Sequence, residues 1–254
     1  MESFVNWFKY DLLKLQFLAS EHGERMDNMM VYVHWLMGAL FVGWLAFFLY
    51  AVFRFSAKRN PKASYAGVQG HTSSYLEVVV ACFEAVLLIG FAVPLWASVV
   101  TDPPPETEST VVRILGQQFN WWAHYGGPDG VMGAQKPDLS TGSDPFGVDR
   151  MGDTNAVDDV VVQRNIVVPV GVPVICHISS LDVIHSFDVH AMRICQDAIP
   201  GMSIPVWFKP TKVGEYMVTC AQLCGNGHYN MAASLKVVSQ AEYERWLLSE
   251  EAPA

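Results

Sequence analysis

The chain has 254 residues, 51 % of them apolar and only 16 % charged, with a formal net charge of −9. Such a length holds one sizeable core plus a smaller element, and so low a charged fraction departs from ordinary soluble domains toward membrane-embedded sequence. Residues 1–100 carry 7 acids and 7 bases, residues 101–254 carry 18 and 9, so the whole −9 lies in the second part, which repels nucleic acid and attracts basic partners.

Residues 1–29 form an N-terminal segment in which Phe4, Trp7, Phe8, Leu12 and Leu15 recur at helical spacing. A helix lying at a membrane surface and a helix packed on a partner protein both fit. The segment lacks the basic start, short apolar run and small-residue cleavage site of a cleaved signal. Residues 30–100 are predicted to hold two transmembrane helices, at about 31–53 and 76–99, since each run is long enough to cross a hydrocarbon core of roughly 30 Å. The loop between them carries Arg54, Lys58, Arg59 and Lys62 and no acid. That asymmetry predicts a cytoplasmic loop, with the N-terminus and everything after residue 100 outside. Glu77 and Glu84 share one face of the second helix. An intramembrane carboxyl faces a partner helix or a water-filled path, so a boundary cap with a helix contact and a proton path remain alternatives. Either one implies a partner membrane protein.

Residues 101–109 read as a Pro-rich linker, because three consecutive prolines preclude helix and favour an extended spacer. Residues 110–238 then read as β. Strands are predicted at 110–115, 160–168, 172–178, 204–208, 215–220 and 232–238, with 160–168 and 172–178 joined as a hairpin through Pro169-Val170-Gly171. An irregular insertion, 126–158, is rich in Gly, Pro, Asp and Ser. Many short strands with turn punctuation favour a barrel or sandwich over a parallel α/β sheet. Residues 239–254 form a C-terminal helix and tail, with Ser239 as N-cap and Glu242 three residues on.

Chemistry concentrates in Cys220-Ala221-Gln222-Leu223-Cys224-Gly225-Asn226-Gly227-His228-Tyr229-Asn230-Met231, with a further imidazole upstream in Asp182-Val183-Ile184-His185. Thiolate and thioether are soft donors and imidazole suits copper, so the mixture favours copper over magnesium or calcium. A mononuclear blue-copper site needs two His, one Cys and an axial Met, and here there is one Cys more. Two close thiolates can bridge two copper ions. Structural zinc has no use for Met, and a Cys220–Cys224 disulfide leaves the His and Met spacing unexplained; zinc and disulfide stay as alternatives. The five cysteines are odd in number and form no disulfide framework. Cys176 and His177 face opposite sides of a strand, and Cys82, Cys195, His124 and His190 are assigned to structure.

CAQLCGNGHYNM resembles the dinuclear copper (CuA) motif of the cytochrome c oxidase subunit II family, C-x-[EQ]-x-C-G-x-x-H-x-x-M, and DVIHSF and Gln196–Gly201 resemble the family's first-histidine segment and the stretch after it. The resemblance spans about residues 30–238. It implies a two-helix transmembrane hairpin plus an all-β cupredoxin-like barrel or sandwich. It further implies two copper ions held by His185, Cys220, Cys224, His228, Met231 and the backbone carbonyl of Gln222. In much of the family position 222 is Glu and reaches a magnesium; Gln222 puts that magnesium in doubt. Gly116-Gln117-Gln118-Phe119-Asn120-Trp121-Trp122 resembles the family's aromatic segment, so electrons are expected to enter through Phe119, Trp121 or Trp122, with simple packing as the alternative for each ring. Glu77 matches an acid at the mouth of a proton path. Asp182 is expected among acids that dock a basic cytochrome c, or as a solvated turn residue.

The resemblance implies a bacterial inner-membrane, two-pass protein with its copper domain in the periplasm. It would work as the electron-accepting subunit of a proton-translocating oxidase that reduces O2 to water. Expected partners are subunit I, bearing haem and CuB, together with subunit III and a cytochrome c donor. The long insertion resembles a subgroup working beside a quinol:cytochrome c reductase in a supercomplex. No C-x-x-C-H motif occurs, so the donor is expected to be a separate protein. Rival readings are a quinol oxidase subunit that has lost copper, a relative of nitrous oxide reductase, and a membrane-tethered zinc or redox module. The intact Cys, His and Met set, the two spans and the lack of a second His-rich domain count against the first two, and copurification of a multispan haem protein would count against the third.

Overall fold

The first apolar run builds a helix of 32 residues, Gly23–Arg54, which at about 1.5 Å per residue is roughly 48 Å long. It begins well before residue 31, because Glu24, Arg25 and Asp27 are tolerated in a first turn that lies outside any hydrocarbon layer. The computed structural model describes residues 2–62, 65–66, 70–100 and 103–250. Parts of the predicted cytoplasmic loop (63–64 and 67–69), the start of the linker (101–102) and the tail 251–254 lie outside the described residues. The second run forms Thr72–Leu87, a wider π-helical stretch Leu88–Ala92, and Val93–Val100. Pro94 accounts for the widening, since its ring crowds the carbonyl four residues earlier and it donates no hydrogen bond. Both helices are long and apolar enough to cross a membrane, and their large side chains, among them Phe41, Phe48, Phe83 and Ile89, are exposed.

The chain divides into two compact units, 1–14 with 25–98, and 15–24 with 99–254. The predicted N-terminal segment is therefore split. In the first unit, a short helix Glu2–Asn6 continues as a π-helical turn Trp7–Leu12, and Phe8 stacks on Trp35 of the long helix with ring centres 5.5 Å apart. Residues 15–24 instead belong to the β unit. There Ala19 N–H donates to Ala191 O (2.8 Å), Thr211 N–H to Ala19 O (2.8 Å) and Glu21 N–H to Lys209 O (3.0 Å), and Ala19 and Ser20 are buried.

In the β unit the linker is extended at Pro105 and closes with one 3-10 turn, Glu106–Glu108. Ten strands follow: β1 Thr110–Gln117, β2 Asn120–Tyr125, β3 Val160–Gln163, β4 Asn165–Pro169, β5 Val174–Ser180, β6 His185–Val189, β7 Ile194–Ala198, β8 Ile204–Phe208, β9 Gly214–Cys220 and β10 Ala232–Val238. They form two five-stranded sheets, ordered β3-β2-β1-β5-β8 and β4-β10-β9-β6-β7. The fold is an all-β cupredoxin-like sandwich. Val112, Ile114, Trp121, Tyr125, Val168, Phe187, Val218 and Leu235 fill the space between the sheets.

The expected hairpin of 160–168 with 172–178 is not formed. Arg164 adopts a left-handed conformation (φ 59°) that breaks the run into β3 and β4, one in each sheet. β4 pairs in parallel with β10, and β5 pairs with β1 and β8. Arg164 is held there by a hydrogen bond from its Nε to Asn120 Oδ1 and one from its backbone N–H to Trp121 O.

The insertion is organised by aspartates that accept backbone N–H groups: Asp153 from Ala134, Asp159 from Gly133, and Asp144 from Phe146 and Val148. His124, fully buried, bonds Asp159 at 2.7 Å. At the C-terminus, Gln240–Glu250 is helical, and Tyr243 and Leu247 are buried against the sandwich. Ser239 and Glu242 form a reciprocal cap: Glu242 N–H donates to Ser239 Oγ (3.3 Å) and Ser239 N–H to Glu242 Oε2 (3.0 Å). Ser239→Ala is expected to cost about 1 kcal/mol in denaturant unfolding. The hydrogen bonds from the Ser239 side chain and backbone hold the Glu242 carboxyl below its ordinary value. Its contribution is complete above the ordinary carboxylate range and is lost as pH falls through the lowered value, so Glu242→Gln should flatten the acid limb of the stability curve.

Candidate metal centre

β6 and β9 are neighbours, with Phe187 opposite Cys220, and this pairing brings His185 at the start of β6 beside Cys220 at the end of β9. The chain leaves β9 in a loop fixed by backbone hydrogen bonds. Ala221 N–H donates to Ser186 O (3.0 Å), His228 N–H to Gly225 O (3.1 Å) and Cys220 N–H to Met231 O (3.2 Å). A 3-10 turn, His228–Asn230, leads into β10. Gly225 sits at φ +132°, a conformation that side chains rarely adopt, and a Cβ there would stand 2.8 Å from Gln118 Nε2.

All six expected donors converge. Cys220 Sγ lies 3.9 Å from Cys224 Sγ, 3.9 Å from His185 Nδ1 and 3.1 Å from the Gln222 carbonyl oxygen. Cys224 Sγ lies 3.6 Å from His228 Nδ1 and 3.7 Å from Met231 Sδ. Each thiol thus has one imidazole and one weak donor close by, and the His185 imidazole is within reach of both sulfurs. The donor atoms of His185, Cys220 and Cys224 all lie within 4.8 Å of one another, and these residues are buried, as is Met231. Both cysteines are free thiols, at a separation far beyond a disulfide bond. Burial, and after it the neighbouring Cys220, push the Cys224 thiol up to about 11. A soft cation must therefore displace that proton as it binds. Two thiols, two imidazoles, a thioether and a carbonyl fit copper and leave the thioether unexplained for zinc.

The remaining candidates fall at different depths. Trp121 is fully buried and Trp122 nearly so; Trp121 meets His185 edge-on at 5.9 Å and Phe187 at 5.3 Å. Phe119 is half-buried, with its ring against the metal loop where a Cβ on Gly227 would stand 2.5 Å from it. The Gln222 side chain is exposed. Glu77 and Glu84 lie in the other unit, seven residues apart and exposed on Thr72–Leu87. Cys176 is buried in the core, where desolvation pushes its thiol up to about 12, and His177 turns outward to Glu106 at 3.3 Å. A cleft of about 830 Å³ lined by Arg113, His177 and Tyr243 contains none of the six donors.

Asp182 turns its carboxylate inward. Oδ1 accepts from His185 Nε2 at 2.8 Å and from Val183 N–H at 2.7 Å, and Oδ2 accepts from Gln118 N–H at 2.8 Å. Burial pushes the carboxyl up, but these hydrogen bonds together outweigh it and hold it below its ordinary value. The contact places the proton of His185 on Nε2 and leaves Nδ1 toward the sulfurs. The His185 contact is local, three residues along, but the Gln118 bond that fixes the carboxylate's direction spans 64 residues and leaves no mark in local spacing. Asp182→Ala is expected to weaken metal retention about 10–100-fold, measured as the rate of copper loss to a chelator.

The family described as cytochrome c oxidase subunit II, periplasmic domain, matches residues 110–238. The chain belongs to the cytochrome c oxidase subunit II family. It is 33 % identical over 223 residues to the alternative cytochrome c oxidase subunit 2 of Bradyrhizobium diazoefficiens, covering 87 % of this chain and 79 % of that one. It is 30 % identical over 242 residues to the cytochrome c oxidase subunit 2 of Cereibacter sphaeroides, covering 85 % and 75 %. A crystal structure of the periplasmic domain of subunit II of the Bradyrhizobium japonicum oxidase matches 59 % of this chain and 96 % of its own, at 26 % identity and a TM-score of 0.43. This subunit II is thus a bacterial membrane protein of an oxidase complex, with two apolar helices and a β domain carrying a His/Cys/Cys cluster.

Proposed function

We propose that this subunit II accepts electrons from a cytochrome c at a dinuclear CuA centre and passes them to haem on subunit I. There they serve reduction of O2 to water with proton translocation. The observation that carries the reading is the convergence of six donors on a pair of sulfurs 3.9 Å apart, with His185 and the Gln222 carbonyl beside Cys220, and His228 and Met231 beside Cys224. These six groups would hold a copper pair, which would supply a one-electron couple. The protein's part is to hold the donors rigid, to keep water from the sulfurs by burying them, and to fix the His185 tautomer through Asp182.

Phe119, Trp121 and Trp122 are the rings proposed to conduct electrons toward the centre. Phe119 is favoured for the first contact by its partial exposure and its place against the metal loop. Asp182 keeps a proposed second role at the docking face through its exposed fraction. Glu77, with Glu84 one stretch along the same helix face, is proposed to take protons toward subunit I. The neutral, outward Gln222 side chain weighs against a magnesium at that interface. The proposed domain plan is an N-terminal segment to 29, two spans within 30–100, a linker at 101–109, the copper domain at 110–238 and a helix and tail from 239. The charge of the loop after the first span supports an inner-membrane placement with N-terminus and copper domain in the periplasm. Subunit III and a supercomplex with a quinol:cytochrome c reductase are further proposed partners.

The test is purification of the oxidase with this subunit, followed by metal analysis and EPR. Two coppers beyond the CuB of subunit I, with hyperfine structure from one electron on two equivalent nuclei, are expected. A single copper beyond CuB, or zinc in its place, would overturn the assignment.

A further inference from the structure

Gln118 lies in the turn between β1 and β2, outside the donor set, with an exposed side chain. It nevertheless makes two bonds that reach the two halves of that set. Its backbone N–H donates to Asp182 Oδ2 at 2.8 Å, and Asp182 Oδ1 holds His185 Nε2 at 2.8 Å. Its side-chain Nε2 donates to Cys224 O at 2.6 Å, across 106 residues of sequence. Residues on either side of Gln118, Gly116 in β1 and Phe119 in the turn, close on the same site. A Cβ on Gly116 would stand 2.9 Å from His185 Cδ2, so the imidazole lies directly on the β1 backbone, and the Phe119 ring occupies the space over Gly225 and Gly227. Leu181 N–H donates to Gly116 O (2.9 Å), which fixes the His185 segment to the same strand.

We infer that Gln118 is a positioning residue that ties the His185 half of the donor set to the Cys224 half and sets the spacing between them. The inference rests on the metal reading above. The loop from Ala221 to Asn230 has two glycines, and an exposed loop of this kind drifts unless it is bonded to something rigid. The Ala221–Ser186 and Cys220–Met231 backbone bonds hold the ends of the loop, and the Gln118 amide ties its middle, at the Cys224 carbonyl, to the rigid β1–β2 turn. A side chain that only filled space there would be replaceable by any residue of like volume. A positioning amide is not.

The experiment compares the intact oxidase carrying Gln118, Gln118→Met and Gln118→Glu. Met keeps length and volume without a donor, and Glu places an ionised acceptor against the Cys224 carbonyl. Copper EPR and the rate of copper loss to a chelator are read, with subunit thermal unfolding as the check on the fold. Both variants should lose copper about 10–100-fold faster than the parent and show altered copper hyperfine splitting, with the unfolding temperature unchanged. Parent-like hyperfine splitting and retention in Gln118→Met overturn the role of Gln118 while leaving the metal centre standing. Loss of copper in step with a lowered unfolding temperature in both variants also overturns it, since the side chain then acts on the fold alone. If the parent itself shows no two-copper signal, the metal reading fails first, and Gln118 with it.

Discussion

Cys220→Ser is expected to leave at most one copper per chain and to abolish the two-nucleus EPR signal. Cytochrome c oxidation should fall by at least the roughly 100-fold upper end seen when partners that merely orient ligands are removed. The reasoning starts from the donor geometry. Cys220 Sγ stands between the Gln222 carbonyl, the His185 imidazole and the second sulfur, at 3.1, 3.9 and 3.9 Å. Serine keeps the shape but offers a hard hydroxyl in place of a soft thiolate, so a pair of ions sharing both sulfurs would lose one of its two anionic donors. Cys224→Ser would remove the other, so the two variants should behave alike. If the site were mononuclear with one spectator thiol, one of the two substitutions would retain the full metal content. Metal analysis of the pair therefore separates a shared sulfur bridge from a single-ion site.

Why the donors were legible and their supports were not follows from distance along the chain. Cys220, Cys224, His228 and Met231 fall within one twelve-residue loop, so local spacing already holds most of the site. The two apolar runs were equally open to reading, because a bilayer demands unbroken hydrophobic length. β8, β9 and β10 were marked by β-branched and aromatic residues between turn signals. The run from 160 to 168 misled because it contains no glycine or proline to announce a break. Its division at Arg164 is imposed by pairing with β2 on one side and β10 on the other. Long-range partners decide such a switch, and periodicity cannot see them. β6 was missed for a related reason: it is buried at every position, including Ser186 and Asp188, so its pattern does not alternate. The same blindness covers the docking of Ala19 and Ser20 on a loop 172 residues away and the two bonds of Gln118. These contacts join positions more than sixty residues apart in sequence, through Ser20 Oγ, the Gln118 amide and backbone N–H groups, so local spacing carries no trace of them.

Trp121→Ala is expected to destabilise the β unit by about 3–5 kcal/mol in denaturant unfolding of the detergent-solubilised subunit. The indole is fully buried between the sheets, and its removal leaves a void bounded by His185 and Phe187 that two rigid sheets cannot close. The two edge-on ring contacts are lost with it, each worth about 0.5–1.5 kcal/mol beyond area. Trp121→Phe should cost far less than its change in volume suggests. Nε1 of Trp121 is buried with no hydrogen-bond partner among the described residues, and an unsatisfied donor of that kind costs about 1–3 kcal/mol. Phenylalanine removes the orphan donor while keeping a ring beside His185, so a smaller void is offset by relief of desolvation. The phenylalanine variant thereby separates packing from electron transfer. A stable Trp121→Phe protein with full copper and slowed oxidation of cytochrome c assigns the indole to the electron route. Unchanged oxidation there, together with slowed oxidation in Phe119→Leu, assigns the route to the half-buried ring on the metal loop and leaves Trp121 as the wall that keeps His185 in place.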